Sequence, residues 1–93
     1  MTTATPERAI ATEEQIEPPY EVLIHNDDVN SMQHVVESLT HCVPALTREE
    51  AFEIMMRAHE SGQARVTIAP HDQASRYRSC LESRGLTATI EPL

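Results

Sequence analysis

The sequence predicts an α/β fold, a small three-stranded antiparallel sheet covered by three helices in the order β-α-α-β-α-β. Three observations carry this prediction. Three short runs, Tyr20–Ile24, Ala64–Ile68 and Leu86–Ile90, have the β-branched content or alternation of strands. Between them lie stretches with apolar residues at helical spacing, opened by capping residues and closed by Gly or Pro. The chain of 93 residues is long enough for one domain and too short for two, so all six elements must share one core. Short strands with helices layered on them meet that requirement.

Each element follows from its own residues. Residues 1–19 are rich in Thr, Glu and Ala and end in Pro18-Pro19. That composition buries too little apolar surface to offset the entropy of ordering, so a flexible tail is expected, with the core at residues 20–93. Tyr20–Ile24 reads as a buried strand, and it ends in His25-Asn26-Asp27-Asp28. Asn30 and Gln33 have capping-box spacing for a helix carrying Met32, Val35, Val36, Leu39 and Val43, which Pro44 stops. Thr47 and Glu50 form a second capping box. The helix they open has Ala51, Ile54, Met55 and Ala58 on its apolar side, His59 in its last turn and Gly62 just past its end. Next, Ala64–Ile68 alternates, with Val66 and Ile68 inward, and Pro70 ends it. Asp72 is placed to cap a third helix carrying Ala74, Tyr77 and Leu81, closed by Gly85. The last strand alternates with Leu86, Ala88 and Ile90 inward.

Charge narrows the function. The formal net charge is −8, and all seven basic residues are Arg. Such a chain repels phosphate backbones and anionic lipid, which argues against nucleic acid and membrane as partners. Without Lys there is no Schiff-base chemistry. With two glycines, no phosphate-cradling loop is available. The two cysteines, Cys42 and Cys80, lack zinc spacing and are expected as free thiols. His34 and His41 sit too far apart on their helix to share a metal. No metal or other cofactor is expected. The N-terminal stretch has neither the apolar core of a signal peptide nor the Arg content of a transit peptide, so a cytoplasmic protein is expected.

The Asn26-Asp27-Asp28 corner has a local explanation, since Asx side chains bond nearby backbone amides. That accounts for Asp28 but leaves two Asx residues over. Met32 and Val35 on the first helix, and Met55, Ala58 and His59 on the second, lie on facing sides if the two helices pack together. They would line an apolar cleft with Asn26 and Asp27 at its mouth. Asp28 and Asn30 are further candidates for the rim. An apolar floor under an amide, a carboxylate and an imidazole suits a protonated α-amino group next to a large side chain. Two other readings compete: a small protein-docking domain without such a pocket, and a hydrolase using His59 with Asp27 or Asp28. The hydrolase lacks a nucleophile at motif spacing and an oxyanion loop.

Taken together, Tyr20-Glu-Val-Leu-Ile-His-Asn-Asp-Asp28, Met32, Val35 and Met55-Met-Arg-Ala-His-Glu-Ser-Gly62 resemble the ClpS family. These are small adaptors, not enzymes, that recognise N-degrons for the AAA+ Clp protease. The likeness runs from Tyr20 to about Ile90. The resemblance implies that Asn26, Asp27 and His59 hold a substrate's α-amino group and first peptide. It implies that Met32 excludes β-branched first residues and that Val35, Met55, Ala58 and Leu86 line the pocket. It further implies binding of N-terminal Leu, Phe, Tyr or Trp, engagement of residues 1–19 by an unfoldase, and a monomer. Ala58 stands where many bacterial members have Val, which widens the pocket. Asn30 and Ser31 replace a common Thr and Pro. The Asp72–Arg84 helix is shorter than in enterobacterial members. Gln33-His34 and Gly85-Leu86-Thr87 resemble the cyanobacterial and plastid branch, which implies a ClpC-type unfoldase, with a ClpA-type as the alternative.

Overall fold

A computed structural model describes residues 18–93. The expected tail therefore lies outside the described residues up to position 17. Pro19 already belongs to the first strand. The elements are β1 (Pro19–His25), α1 (Met32–Cys42), α2 (Arg48–Ser61), β2 (Gln63–Pro70), α3 (His71–Ser83) and β3 (Thr87–Pro92). The order is the one expected, and the sheet is antiparallel with strand order β2-β1-β3. β1 is paired on both edges, and its Val22-Leu23-Ile24 run is apolar because side chains on both of its faces are buried. Val22 and Ile24 join the core under the helices. Leu23 points to the other face, flanked in register by Arg65 and Thr89. Helices α2 and α3 pack on the sheet, and α1 packs across those two.

The caps obey local chemistry with two corrections. Thr47 Oγ1 accepts from the Glu50 N–H at 3.0 Å while the Glu50 carboxylate accepts from the Thr47 N–H at 2.9 Å, a complete capping box. At α1 the cap is Ser31, whose Oγ accepts from the His34 N–H at 3.1 Å, and not Asn30. At α3 the N-cap is Pro70, without a side-chain bond, and Asp72 sits inside the first turn where its charge favours the helix dipole.

Both glycines adopt positive φ, 93° at Gly62 and 90° at Gly85. After α3, the Leu86 N–H reaches the Leu81 carbonyl at 3.1 Å and the Gly85 N–H reaches Glu82 at 3.0 Å. That is a Schellman closure, and it turns Leu86 inward directly before β3.

In β2 the expected alternation fails after Val66. The register of β1 against β2 shifts between Val22 and Leu23, so Val66 is an extra residue, a bulge. Val66 remains buried, but Ile68 is 43% exposed and Ala69 takes the inward place. One inserted residue reverses the facing of all that follow it.

The cysteines are a further correction. Cys42 at the end of α1 and Cys80 in α3 form a disulfide, with Cα atoms 5.7 Å apart, so neither is a free thiol. The two cysteines stand 38 positions apart in sequence, and only the crossing of α1 over α3 brings them together.

Candidate functional site

The cleft forms where the end of β1, the first turns of α1, the last turns of α2 and the start of β3 meet. The Asn26 N–H donates to the Gly62 carbonyl at 2.9 Å, which ties the corner after β1 to the end of α2. A cavity of about 50 Å³ opens there. Val35, Met55, Ala58 and Leu86 supply its apolar lining, together with Ile24. Asn26, Asp27, Asn30 and His59 supply its polar edge. Met32 is 49% exposed and also lines the cavity. Its unbranched side chain has three rotatable bonds, so a rotamer rather than the backbone sets the width of the opening. Asp28 does not line the cavity.

The polar edge is organised around Asp27. Its Oδ1 accepts from the Val29 and Asn30 N–H groups, each at 3.0 Å, which makes Asp27 the turn residue. Asp28, the residue expected to serve the turn, is exposed and takes no part in these bonds. The Asn30 N–H, assisted by the Val29 N–H, the Asn30 side-chain amide and the nearby His34 ring, holds the Asp27 carboxyl below its usual pKa, against the smaller opposing effect of partial burial. The carboxylate is therefore ionised throughout the physiological range. Its Oδ2 has a single contact, 3.3 Å from Asn30 Nδ2, and retains acceptor capacity.

Asn30 joins the two walls. Released from capping, its Nδ2 donates to the Gly85 carbonyl at 2.9 Å and lies 3.3 Å from both oxygens of Asp27. The carboxylate and the turn that positions Leu86 are thus held by one side chain. Beside it, His34 Nε2 lies 2.7 Å from the Arg84 carbonyl, and Arg84 Nε donates to the fully buried Ser38 Oγ at 2.9 Å. These bonds fasten the Arg84–Gly85 corner to α1. Sequence reasoning missed both roles, because the partners of Asn30 and His34 lie 55 and 50 residues away. Replacing Asn30 with Ala is expected to cost about 1–2 kcal/mol in denaturant unfolding. It should also weaken ligand binding severalfold, because the Asp27 carboxylate and the turn before Leu86 lose the side chain that ties them together.

Among the hydrogen bonds of the described residues, none uses the side chain of Asn26 or the ring of His59. Both are exposed at the cavity mouth. No hydrogen bond joins His59 to Asp27 or Asp28, so the acid–imidazole pair a hydrolase would need is not assembled. His25 Nε2 is instead bonded to Thr89 Oγ1 at 2.8 Å. His41 is exposed and stands away from the cavity. Among the described residues, no three His, Cys, Asp or Glu side chains converge as a metal site. No helix among them is long and apolar enough to cross a membrane.

The site can therefore bind a ligand that presents a cation and an apolar group together. The family model of the ATP-dependent Clp protease adaptor protein ClpS matches residues 15–89. An ATP-dependent Clp protease adapter protein ClpS of Synechococcus elongatus is 44% identical over 81 residues, covering 87% of this chain and 85% of its own. The chloroplastic adapter CLPS1 of Chlamydomonas reinhardtii is 41% identical over 98% of this chain and 56% of its own. Among solved structures, Agrobacterium tumefaciens ClpS2 bound to L-phenylalaninamide superposes with a TM-score of 0.72 at 25% identity, covering 83% of this chain and 99% of that one.

Proposed function

The chain belongs to the ClpS family of ATP-dependent Clp protease adaptors, and from that premise we propose that its cavity reads the first residue of substrate proteins. An adaptor of this family is a binding protein and not an enzyme. The reading is an N-degron adaptor that takes Leu, Phe, Tyr or Trp at a free N-terminus and delivers the bearer to a Clp unfoldase. The Agrobacterium relative's ligand, L-phenylalaninamide, combines an α-amino group with an aromatic side chain, the pairing this cavity suits. The proposal includes a monomer that works in the cytoplasm with a ClpC- or ClpA-type AAA+ unfoldase.

The observation that carries it is the ionised, turn-held Asp27 at the mouth of an apolar cavity, beside Asn26 and His59 side chains that have no other partner among the described residues. An α-amino group has a pKa of roughly 8 and is charged at neutral pH. Each hydrogen bond to it contributes about 1.5–3 kcal/mol, and burial of a Leu or Phe side chain about as much. After the cost of association, an affinity on the order of micromolar results. That strength permits both capture and release.

The test compares a peptide beginning with free Phe with its N-acetylated form. The free peptide should bind and the acetylated one should not; equal binding would overturn the reading. The pH dependence checks the same contact. An amine gaining a carboxylate partner has its pKa raised on binding. Its affinity is then complete below the free value near 8 and falls about tenfold per unit as pH rises beyond it, until the bound amine titrates as well. Asp27, with its pKa depressed, stays charged to lower pH than an ordinary carboxylate, so the acid-side loss it imposes is displaced below the ordinary carboxylate range.

A further inference from the structure

Next to the terminal-residue cavity, α1 and α2 leave a larger groove of about 600 Å³. Val36 and Met55 are its buried floor, and Met32 and Phe52, 49% and 52% exposed, are its apolar walls. Gln33, Arg48, Glu49 and Glu53 edge it. Phe52 is the chain's one phenylalanine, and half of its surface faces solvent. Isolated apolar residues at a surface are ordinary, but here Met32 and Phe52 border one concavity. Met32 and Met55 also line the smaller cavity, so the two spaces share a wall and form one recognition surface.

We propose that this groove is a second side-chain pocket, taking an apolar residue at the third position of the substrate. The proposal rests on the reading of the smaller cavity as the seat of the first residue. A peptide leaving that seat in extended form alternates its side chains and advances about 3.3 Å per residue. The second side chain points away from the adaptor. The third returns to the same face, roughly 7 Å from the first, beyond the wall that Met32 and Met55 share. A hydrophobic third residue would there cover Phe52 and Met32, which are otherwise left to water. A second copy of the chain fits less well, since each copy carries a net charge of −8 and the two repel.

The test uses three fluorescent peptides with free N-termini and identical tails, beginning Phe-Ala-Ala, Phe-Ala-Leu and Phe-Leu-Ala. Leu at the third position should tighten binding about fivefold or more over Ala. The ratio between those two peptides should fall to near one in the Phe52→Ala variant, whose exposed site tolerates truncation. No gain from the third-position Leu, a gain that survives Phe52→Ala, or the same gain from the second position would overturn the proposal. So would a Phe52-dependent dimer in sedimentation without peptide. If Phe-Ala-Ala itself fails to bind the unaltered protein, the first-residue reading fails, and this proposal with it.

Discussion

Replacing Asp27 with Asn is expected to lower the affinity for a free-amine Phe peptide by about thirtyfold or more, while the fold survives. The neutral amide keeps an oxygen that can accept from the Val29 and Asn30 N–H groups, so the corner after β1 can still close. What it loses is the charge facing the substrate ammonium. A hydrogen bond to a charged group contributes about 1.5–3 kcal/mol, and leaving a partly desolvated cation without its counter-charge sets the loss near 2 kcal/mol. Asp27→Ala should lose at least as much binding and also stability, because it removes the turn acceptor as well. Comparing titration calorimetry with urea unfolding for the two variants separates these effects. Binding by Asp27→Asn within threefold of the unaltered protein would remove the carboxylate from the mechanism.

The largest stability effect is expected from the Cys42–Cys80 bridge. It closes a loop across a sequence separation of 38, for which chain entropy gives about 4 kcal/mol. Whole domains of this kind are stable by only about 5–15 kcal/mol, so opening the bridge should remove a large share. Cys42→Ala with Cys80→Ala keeps small apolar groups at the site and should lower the urea midpoint markedly. Dithiothreitol should do the same to the unaltered protein and nothing to the double variant. A loss below about 1 kcal/mol would mean that helix packing, not the bridge, holds α1 to α3. Because α3 ends in the Arg84–Gly85 corner that positions Leu86, the opened form should also bind Phe peptides more weakly.

How far the sequence could be read depended on the range of the interactions involved. The Thr47–Glu50 box, the two glycine stops and the helical spacing of Val36, Leu39, Ala51, Ile54, Met55 and Ala58 are local, so their signals lie within a few residues. The cavity-lining set was legible for the same reason. Helix spacing put Met32 and Val35, and Met55, Ala58 and His59, on faces that could meet, and family resemblance added Leu86. Competition among neighbours was harder to resolve. Asn30 and Ser31 both cap helices well, and Asp27 and Asp28 both make turns. The turn bonds of Asp27 reach only Val29 and Asn30, but at the cap a distant group decided. The Gly85 carbonyl engages Asn30 and leaves the cap to Ser31.

Element order, the Thr47–Glu50 cap and the polar-rimmed apolar character of the cavity are written in local pattern, because side-chain periodicity and capping are short-range physics. Long-range contacts settled that Ser31 rather than Asn30 caps α1, that Ala69 rather than Ile68 faces the core, and that Cys42 meets Cys80. The bulge at Val66 arises from pairing with another strand. The disulfide needs two helices to cross within bonding distance. The hold of Asn30 on the Gly85 carbonyl spans 55 residues. Each is a contact between segments far apart along the chain, where local preference carries no information about the partner.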